Sequence, residues 1–127
     1  ARMPDQLVLT GQDDDELRRG LASALGKDGP TAIIACSTPL AVAALRGLED
    51  AALTTPRDVA FATFDGFTYP DLFHPQLTTV RQPAFDMGVA AVQLLVERLD
   101  QPGASPRTVR LRQSIELRET TEGNRAG

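Results

Sequence analysis

The fold is decided by residues 56–83, which begin Pro56-Arg57-Asp58-Val59, continue through Thr63-Phe64-Asp65-Gly66 and end Leu77-Thr78-Thr79-Val80-Arg81-Gln82-Pro83. Residues 59–64 are almost wholly apolar, which is typical of a strand covered on both faces. Asp65 follows where that strand ends. A second β-rich stretch ends at Gln82, and Pro83 then opens a helix. One short segment therefore predicts two strand exits, each followed by a polar side chain.

Upstream, a strand and a helix are predicted in alternation. Residues 31–35 are an apolar burst too short for a helix, and Thr38-Pro39 is an N-cap followed by a proline at the first helical position. An apolar stripe then continues to about Ala51, through Leu40, Ala44, Leu45 and Leu48. Two buried strands that flank a helix predict a parallel βαβ unit. Before them, residues 6–10 predict another strand, and the acidic run 13–16 predicts a helix start before Leu17, Leu21 and Leu25.

Downstream, residues 65–75 predict an irregular loop with one short helix at residues 69–73. A long helix is predicted from Ala84 to Asp100, and its apolar face is formed by Phe85, Val89, Val92, Leu95, Val96 and Leu99. In the intact fold we expect this face to lie on a part of the protein that this chain lacks. In the chain alone we expect the helix either to fold back on its own sheet or to dock on a neighbouring chain. Residues 109–118 alternate apolar and polar side chains, which predicts a strand with one buried face.

Composition indicates a globular domain and excludes several classes of function. The chain has 127 residues, 42% of them hydrophobic, and a net charge of −4, which argues against gripping a nucleic-acid backbone by itself. No apolar run approaches the roughly 20 residues of a membrane span. Cys36 is the single cysteine, so a reducing compartment, the cytoplasm, is expected, with Cys36 as a small buried residue. No phosphate loop, nucleophile elbow or metal-ligand spacing is present, which predicts no enzyme activity, no cofactor and no metal.

Polar side chains follow four predicted strands, where ligands bind in open parallel α/β sheets. They are Gln12, Ser37, Thr38, Asp65 and Gln82. A carboxylate, hydroxyls and amides that converge at one edge suit sugar hydroxyls, which both donate and accept hydrogen bonds. Each residue also has a structural interpretation: Asp65 as a turn former, Ser37 as a helix-entry residue and Thr38 as a cap.

The loop after Asp65 carries more large apolar groups than a free loop normally holds. Phe67, Tyr69, Leu72 and Phe73 either fold back on the core or form a contact surface. His74 is expected to be structural.

The order of these motifs resembles that of LacI-type (lactose-repressor-like) bacterial transcription regulators. The resemblance runs from Gln6 to Thr121 and ends in Leu117-Arg118-Glu119-x-Thr121. It implies an α/β, periplasmic-binding-protein-like (type I) fold, here a parallel-sheet C-terminal subdomain in three layers (α/β/α) with an incomplete N-terminal subdomain. An effector would bind in the cleft, and a helix-turn-helix domain missing from this chain would bind operator DNA.

The same resemblance assigns roles to individual residues. Asp65 corresponds to an effector-contacting aspartate, and Ser37 and Thr38 stand where the family usually has Asn and Asp. The family dimerises through the second helix and the following loop. This places Val42, Arg46, Tyr69, Leu72 and Phe73 in a homodimer interface.

The chain is therefore expected to comprise an effector-binding and dimerisation subdomain over residues 1–81, a crossover helix and final strand over residues 82–119, and a disordered tail over residues 120–127. We interpret it as a fragment of a LacI-type regulator that senses a small polar ligand, such as a sugar or nucleoside. The alternatives are a periplasmic sugar-binding protein of a transporter and, third, a flavodoxin-like enzyme. An upstream helix-turn-helix would favour the regulator, and a signal peptide the transporter.

Overall fold

Strands and helices alternate along the chain in the computed structural model, which describes residues 8–10, 13–25, 29–67 and 70–123. The strands are β1 (Ala32–Ala35), β2 (Ala60–Phe64), β3 (Thr78–Arg81) and β4 (Ser114–Glu116). The helices are α1 (Asp14–Ala24), α2 (Thr38–Asp50) and α3 (Ala84–Asp100), with short 3₁₀ turns at Pro70–Leu72 and Glu119–Thr121. The predicted alternation of strands and helices from residue 13 onward is confirmed. Of the first predicted strand, residues 6 and 7 lie outside the described residues, and residues 8–10 form no strand.

The four strands form one sheet in the order β1-β2-β3-β4. β1, β2 and β3 are parallel, with Ile33 opposite Phe61 and Phe64 opposite Val80. β4 pairs with β3 in the antiparallel sense. The α/β class and the parallel βαβ unit are confirmed, but the sheet is mixed rather than wholly parallel because its last strand returns in the opposite direction.

The core lies between α2 and one face of this sheet. Its buried members are Ala35, Ala41, Leu48, Val59, Phe61 and Leu77. β1 and β2 each contribute alternate residues to this face, because successive side chains of a strand point to opposite sides. α2 is thereby fixed above the strands that lead to Ser37 and Asp65.

α1 packs on α2 through a close approach and an ion-pair cluster. A Cβ atom at Gly47 of α2 would lie 2.8 Å from Leu21 Cδ2 of α1, so the glycine permits the contact. Beside it, Arg18 pairs with Asp50, and Arg46 Nη1 lies 3.1 Å from Asp14 Oδ2. Asp13 caps α1 by accepting the Glu16 N–H at 2.7 Å, as the acidic run predicts.

The opposite face of the sheet is open at its two edge strands, and α3 is not covered by other described elements. Ile34 of β1 and Ile115 of β4 are on this face and are 62% and 65% exposed. α3 has no buried residue, and Phe85 at its start is 82% exposed. α3 therefore does not fold back on its own sheet, so the first of the two arrangements expected for the chain alone is wrong. In the described residues α2, with α1 packed on it, covers one face of the sheet.

The end of the chain is more ordered than the sequence predicts. Thr120 is fully buried, and its hydroxyl donates to the Phe61 carbonyl at 2.7 Å and accepts the Thr78 N–H at 2.8 Å. The hydroxyl thus joins β2 to β3 near the start of β3. Residues 120 and 121 therefore belong to the fold rather than to the expected tail, while residues 124–127 lie outside the described residues.

A carboxylate closes the turn that leads into β2. Asp58 Oδ2 accepts the Thr54 N–H at 2.8 Å and the Thr54 hydroxyl at 2.9 Å, and Arg57 Nη2 lies 2.9 Å from the same oxygen. The Arg57 hydrogen bond, followed by those of Thr54, holds the pKa of Asp58 well below its usual range.

This lowered pKa predicts a pH-dependent stability. A group whose pKa is lower in the folded state stabilises the fold above its unfolded pKa of about 4, and the contribution is lost as pH falls through the folded value. Asp58→Asn should therefore lower the free energy of unfolding at neutral pH, with a difference from wild type that narrows below about pH 4. Urea unfolding at a series of pH values measures this. Asp100→Asn, an exposed site at the end of α3, is the control, and a similar pH trend in both variants would contradict the prediction.

Candidate functional site

The polar side chains that the sequence singles out follow the carboxyl ends of three neighbouring parallel strands. Ser37 and Thr38 follow β1, Asp65 follows β2 and Gln82 follows β3. Because the three strands are parallel, these residues lie along one edge of the sheet. All four are half-buried, as suits groups at the mouth of a ligand site. Gln12 lies outside the described residues.

Asp65 is held in an unusual backbone conformation at the centre of this edge. Its φ is +57°, in the left-handed region that Asp and Asn enter more readily than other non-glycine residues. Its N–H donates to the Val80 carbonyl at 3.1 Å, which ties the end of β2 to the end of β3. This turn stops the strand and directs the chain into the loop, while the carboxylate stays at the edge.

Gln82 and Asp65 are brought together by a side-chain hydrogen bond. The Gln82 amide Nε2 donates to Asp65 Oδ1 at 2.7 Å. The sequence predicts both residues as ligand contacts but not their contact with each other, since 17 positions separate them. At the centre of the candidate site, the Gln82 amide and the Asp65 carboxylate therefore hold each other in a fixed orientation.

Ser37, not Thr38, occupies the N-cap of α2. Ser37 has extended backbone angles and its side chain makes no capping bond, while Thr38 is the first helical residue. The expectation that Thr38 is the cap is wrong, because the helix starts one residue earlier than the Thr-Pro pair predicts. The Ser37 hydroxyl makes no hydrogen bond to the described residues. It is therefore available to a ligand.

Cys36 is exposed rather than buried, contrary to the expectation for a small apolar residue. It follows directly after the last residue of β1, at the edge strand of the described sheet, where no described strand lies beyond it. An apolar cavity of about 110 Å³ lies next to it between α1 and β1. Its lining includes Leu9, Leu17, Leu21, Ile33 and Leu40. Such a lining offers a sugar few polar partners, so the polar edge at Asp65 is the better candidate.

The loop after Asp65 divides its apolar residues between the core and the surface. Phe67 and Phe73 pack on the core and on each other, with ring centroids 4.4 Å apart. Leu72 is 73% exposed. Of the residues assigned to a dimer interface, Phe73 therefore contributes mainly to the core, Leu72 is free, and Tyr69 lies outside the described residues. On α2, Val42 is half-buried, and the exposed Arg46 forms the ion pair with α1.

Neither a metal site nor a membrane-spanning helix is present in the part of the chain that the structure describes. No cluster of three or more His, Cys, Asp or Glu side chains there could hold a metal ion. Among the same residues, no helix combines the length and the apolar character that a bilayer span requires.

Comparison with known proteins identifies the family to which the chain belongs. Residues 2–121 match the family described as "Periplasmic binding protein-like domain". The catabolite control protein A of Priestia megaterium is 32% identical over 93 residues, which are 73% of this chain and 28% of that protein. The ribose operon repressor of Haemophilus influenzae is 31% identical over 102 residues, 80% of this chain and 31% of the repressor. A LacI family regulator from Enterococcus faecium, solved with bound ribose, superposes with a TM-score of 0.71 at 28% identity, over 88% of this chain and 41% of that one.

The α/β sheet described above has the fold of this family, and the chain belongs to the periplasmic binding protein-like family. Within that family, it corresponds to part of the effector domain of LacI-type transcriptional regulators. It spans about a third of the length of the curated relatives named above.

Proposed function

We propose that this chain is the part of a LacI-type regulator that binds a small, neutral, polar effector, most simply a sugar, at the edge formed by Ser37, Asp65 and Gln82. The observation that carries the proposal is the hydrogen-bonded Asp65–Gln82 pair at two adjacent strand exits. The half-buried Asp65 carboxylate is already oriented by Gln82, so it loses little conformational entropy when a ligand hydroxyl donates to it. The ribose bound to the Enterococcus faecium relative supports a sugar as the ligand class.

The response to the effector would be a shift between two arrangements of the fold. Gln82 and Pro83 are the whole connection between β3 and α3. A ligand that engages Asp65 and Gln82 therefore acts beside the segment that sets the direction of α3. If it binds one orientation more tightly, it shifts the population toward that orientation. In the intact regulator this would change operator binding by a DNA-binding domain, and the whole protein would act in the cytoplasm without catalysing a reaction.

Titration of the 127-residue chain with D-ribose and with lactose, followed by ¹H–¹⁵N NMR, tests the proposal. We expect saturable shifts at Ser37, Asp65 and Gln82 for a sugar that binds. Uniform small shifts, or shifts confined to α1, would contradict it. Glycerol, a polyol without a sugar ring, is the control for unspecific hydroxyl effects.

Dimerisation through α2 and the following loop is the second part of the proposal. A two-fold interface must be self-complementary, and the exposed Leu72 offers an apolar contact beside the half-buried Val42. Because Phe73 packs on the core, a substitution there would test folding rather than assembly. Substitutions at Leu72 and Val42 therefore test assembly more directly than a substitution at Phe73.

The variant Val42→Glu/Leu72→Glu should shift the intact regulator from dimer to monomer in sedimentation velocity, because like charges would face each other across the two-fold axis. Gln101→Glu, an exposed polar position after α3, is the control and should leave the dimer unchanged. An equally tight dimer of the double variant would place the interface elsewhere.

A further inference from the structure

We infer that the 127-residue chain pairs with a second copy of itself by exchanging α3, so that the α3 of each copy lies on the sheet of the other, on the face opposite α2. This contact uses neither the polar edge at Asp65 nor the exposed surface of α2, so it is independent of the proposed function. It joins two apolar surfaces of the chain that no described element covers.

The first of these surfaces is an apolar stripe along α3. Its members recur at intervals of four and three residues, which places them on one side of the helix, and they are Phe85, Val89, Val92, Val96 and Leu99. They are between 41% and 82% exposed, and α3 packs on no other described element. Most of the stability of such a helix comes from packing of its apolar side, so α3 requires a partner surface.

The second surface is the sheet face opposite α2, which we call the open face. Strand register and alternation place five apolar side chains on it, none of them buried: Ile34, Ala62, Phe64, Val80 and Ile115. Parallel strands are normally covered by helices on both faces of their sheet. Since α2 covers only the other face, the chemistry and shape of the open face fit an apolar helix.

The connections of α3 to the sheet permit an exchange between two copies. β3 and β4 are neighbours, with Arg81 opposite Ser114, so the chain leaves the sheet before α3 and rejoins it at the same edge. Because α3 packs on nothing in its own chain, its transfer to a partner breaks no packing contact. Exchange of an identical element is a low-cost route to a two-fold dimer.

The extent and polarity of the two surfaces also match. α3 has 17 residues and is therefore about 25 Å long, enough to cross four strands. A two-fold exchange forms the helix-on-sheet contact twice, which is on the scale of the roughly 1,200–2,000 Å² that a stable interface buries. The open face has no charged side chain among its five residues, and the charged Asp86 and Glu97 lie outside the stripe of α3 and stay in water.

Sedimentation velocity of the 127-residue chain tests the exchange. The starting chain carries Val42→Glu/Leu72→Glu, so that the proposed contact through α2 does not contribute, and we expect it to be a dimer. Addition of Val92→Glu/Val96→Glu, the α3 variant, should weaken the dimer at least roughly tenfold, because charged groups would enter an apolar contact.

A second pair of substitutions examines the surface that receives α3. Ile34→Glu/Ile115→Glu in the same starting chain, the sheet variant, should weaken the dimer as much as the α3 variant does. Gln93→Glu/Gln101→Glu adds the same charge at two exposed polar positions and should leave the dimer unchanged. Urea unfolding checks that each variant remains folded, as expected for substitutions at exposed positions.

A mixture of the two variants separates exchange from other modes of pairing. The sheet variant has an intact α3 and the α3 variant has an intact open face, so together they can form one complete contact. We expect the mixture to associate at concentrations at which each variant alone is a monomer, which would also show that both are folded. A monomeric starting chain, a sheet variant that remains a dimer, or a mixture that does not associate would each overturn the inference.

Discussion

Replacement of Thr120 by Val should cost the fold about 2–6 kcal/mol, a large part of the stability of a domain of this size. Valine has nearly the same shape but no hydroxyl, so the Phe61 carbonyl and the Thr78 N–H would both lose their partner in a fully buried place. Each orphaned buried group costs about 1–3 kcal/mol. Urea unfolding followed by circular dichroism measures the loss, which should appear in the midpoint rather than in the slope.

Two control variants separate the hydroxyl from the rest of the C-terminal turn. Thr120→Ser keeps both hydrogen bonds and loses one methyl group, so it should cost about 1 kcal/mol. Thr121→Val removes the bond to the Thr78 hydroxyl, in a half-buried place where water can substitute. If Thr120→Val were as stable as Thr120→Ser, the bridge between β2 and β3 would contribute nothing to the fold.

The spacing of apolar residues predicts the strands and helices of this fold well, because the positions that are buried in each element are the ones that carry apolar side chains. The apolar runs at residues 31–35 and 59–64 become the parallel strands β1 and β2, and the stripe from Leu40 to Leu48 becomes the buried side of α2. The alternation over residues 109–118 predicts a long strand, but only Ser114–Glu116 pairs with β3. Alternating apolar and polar residues indicate that one face of a segment can be buried. They do not indicate which other part of the fold packs on that face.

Buried polar side chains that join two elements by hydrogen bonds are harder to predict than apolar faces. Thr120 lies in a polar stretch that reads as a tail, and no local pattern signals that its hydroxyl will join two strands at residues 61 and 78. The Leu117-Arg118-Glu119-x-Thr121 motif was the available signal, since it extends the resemblance beyond residue 119. Cys36 was expected to be buried because cysteine usually is, and its exposure follows from its place after an edge strand.

The candidate site could be predicted as a set of residues but not as an arrangement. The rule that ligands bind at strand exits selects Ser37, Asp65 and Gln82, and the parallel pairing places them on one edge. The hydrogen bond between Gln82 and Asp65 depends on the register of β2 against β3, with Phe64 opposite Val80. Which residues of two strands lie opposite each other depends on how the strands pair in three dimensions, and the sequence alone does not specify it.

Loss of the Asp65 carboxylate should reduce sugar affinity roughly ten- to a hundredfold, because a hydrogen bond to a charged acceptor in a half-buried site contributes about 1.5–3 kcal/mol. Asp65→Ala removes the acceptor, but alanine also resists the left-handed φ of +57° at this position, so part of its effect would be on folding.

Asp65→Asn separates the two effects. Asparagine adopts the left-handed region readily and can still accept from Gln82 Nε2, while its own amide nitrogen replaces the acceptor that faces the ligand. We therefore expect Asp65→Asn to unfold at nearly the wild-type urea midpoint and yet to bind ribose as weakly as Asp65→Ala. Calorimetry or NMR titration of both variants measures the affinities, and urea unfolding measures the stabilities. Wild-type affinity in a folded Asp65→Asn variant would mean that the carboxylate holds the turn and does not contact the sugar.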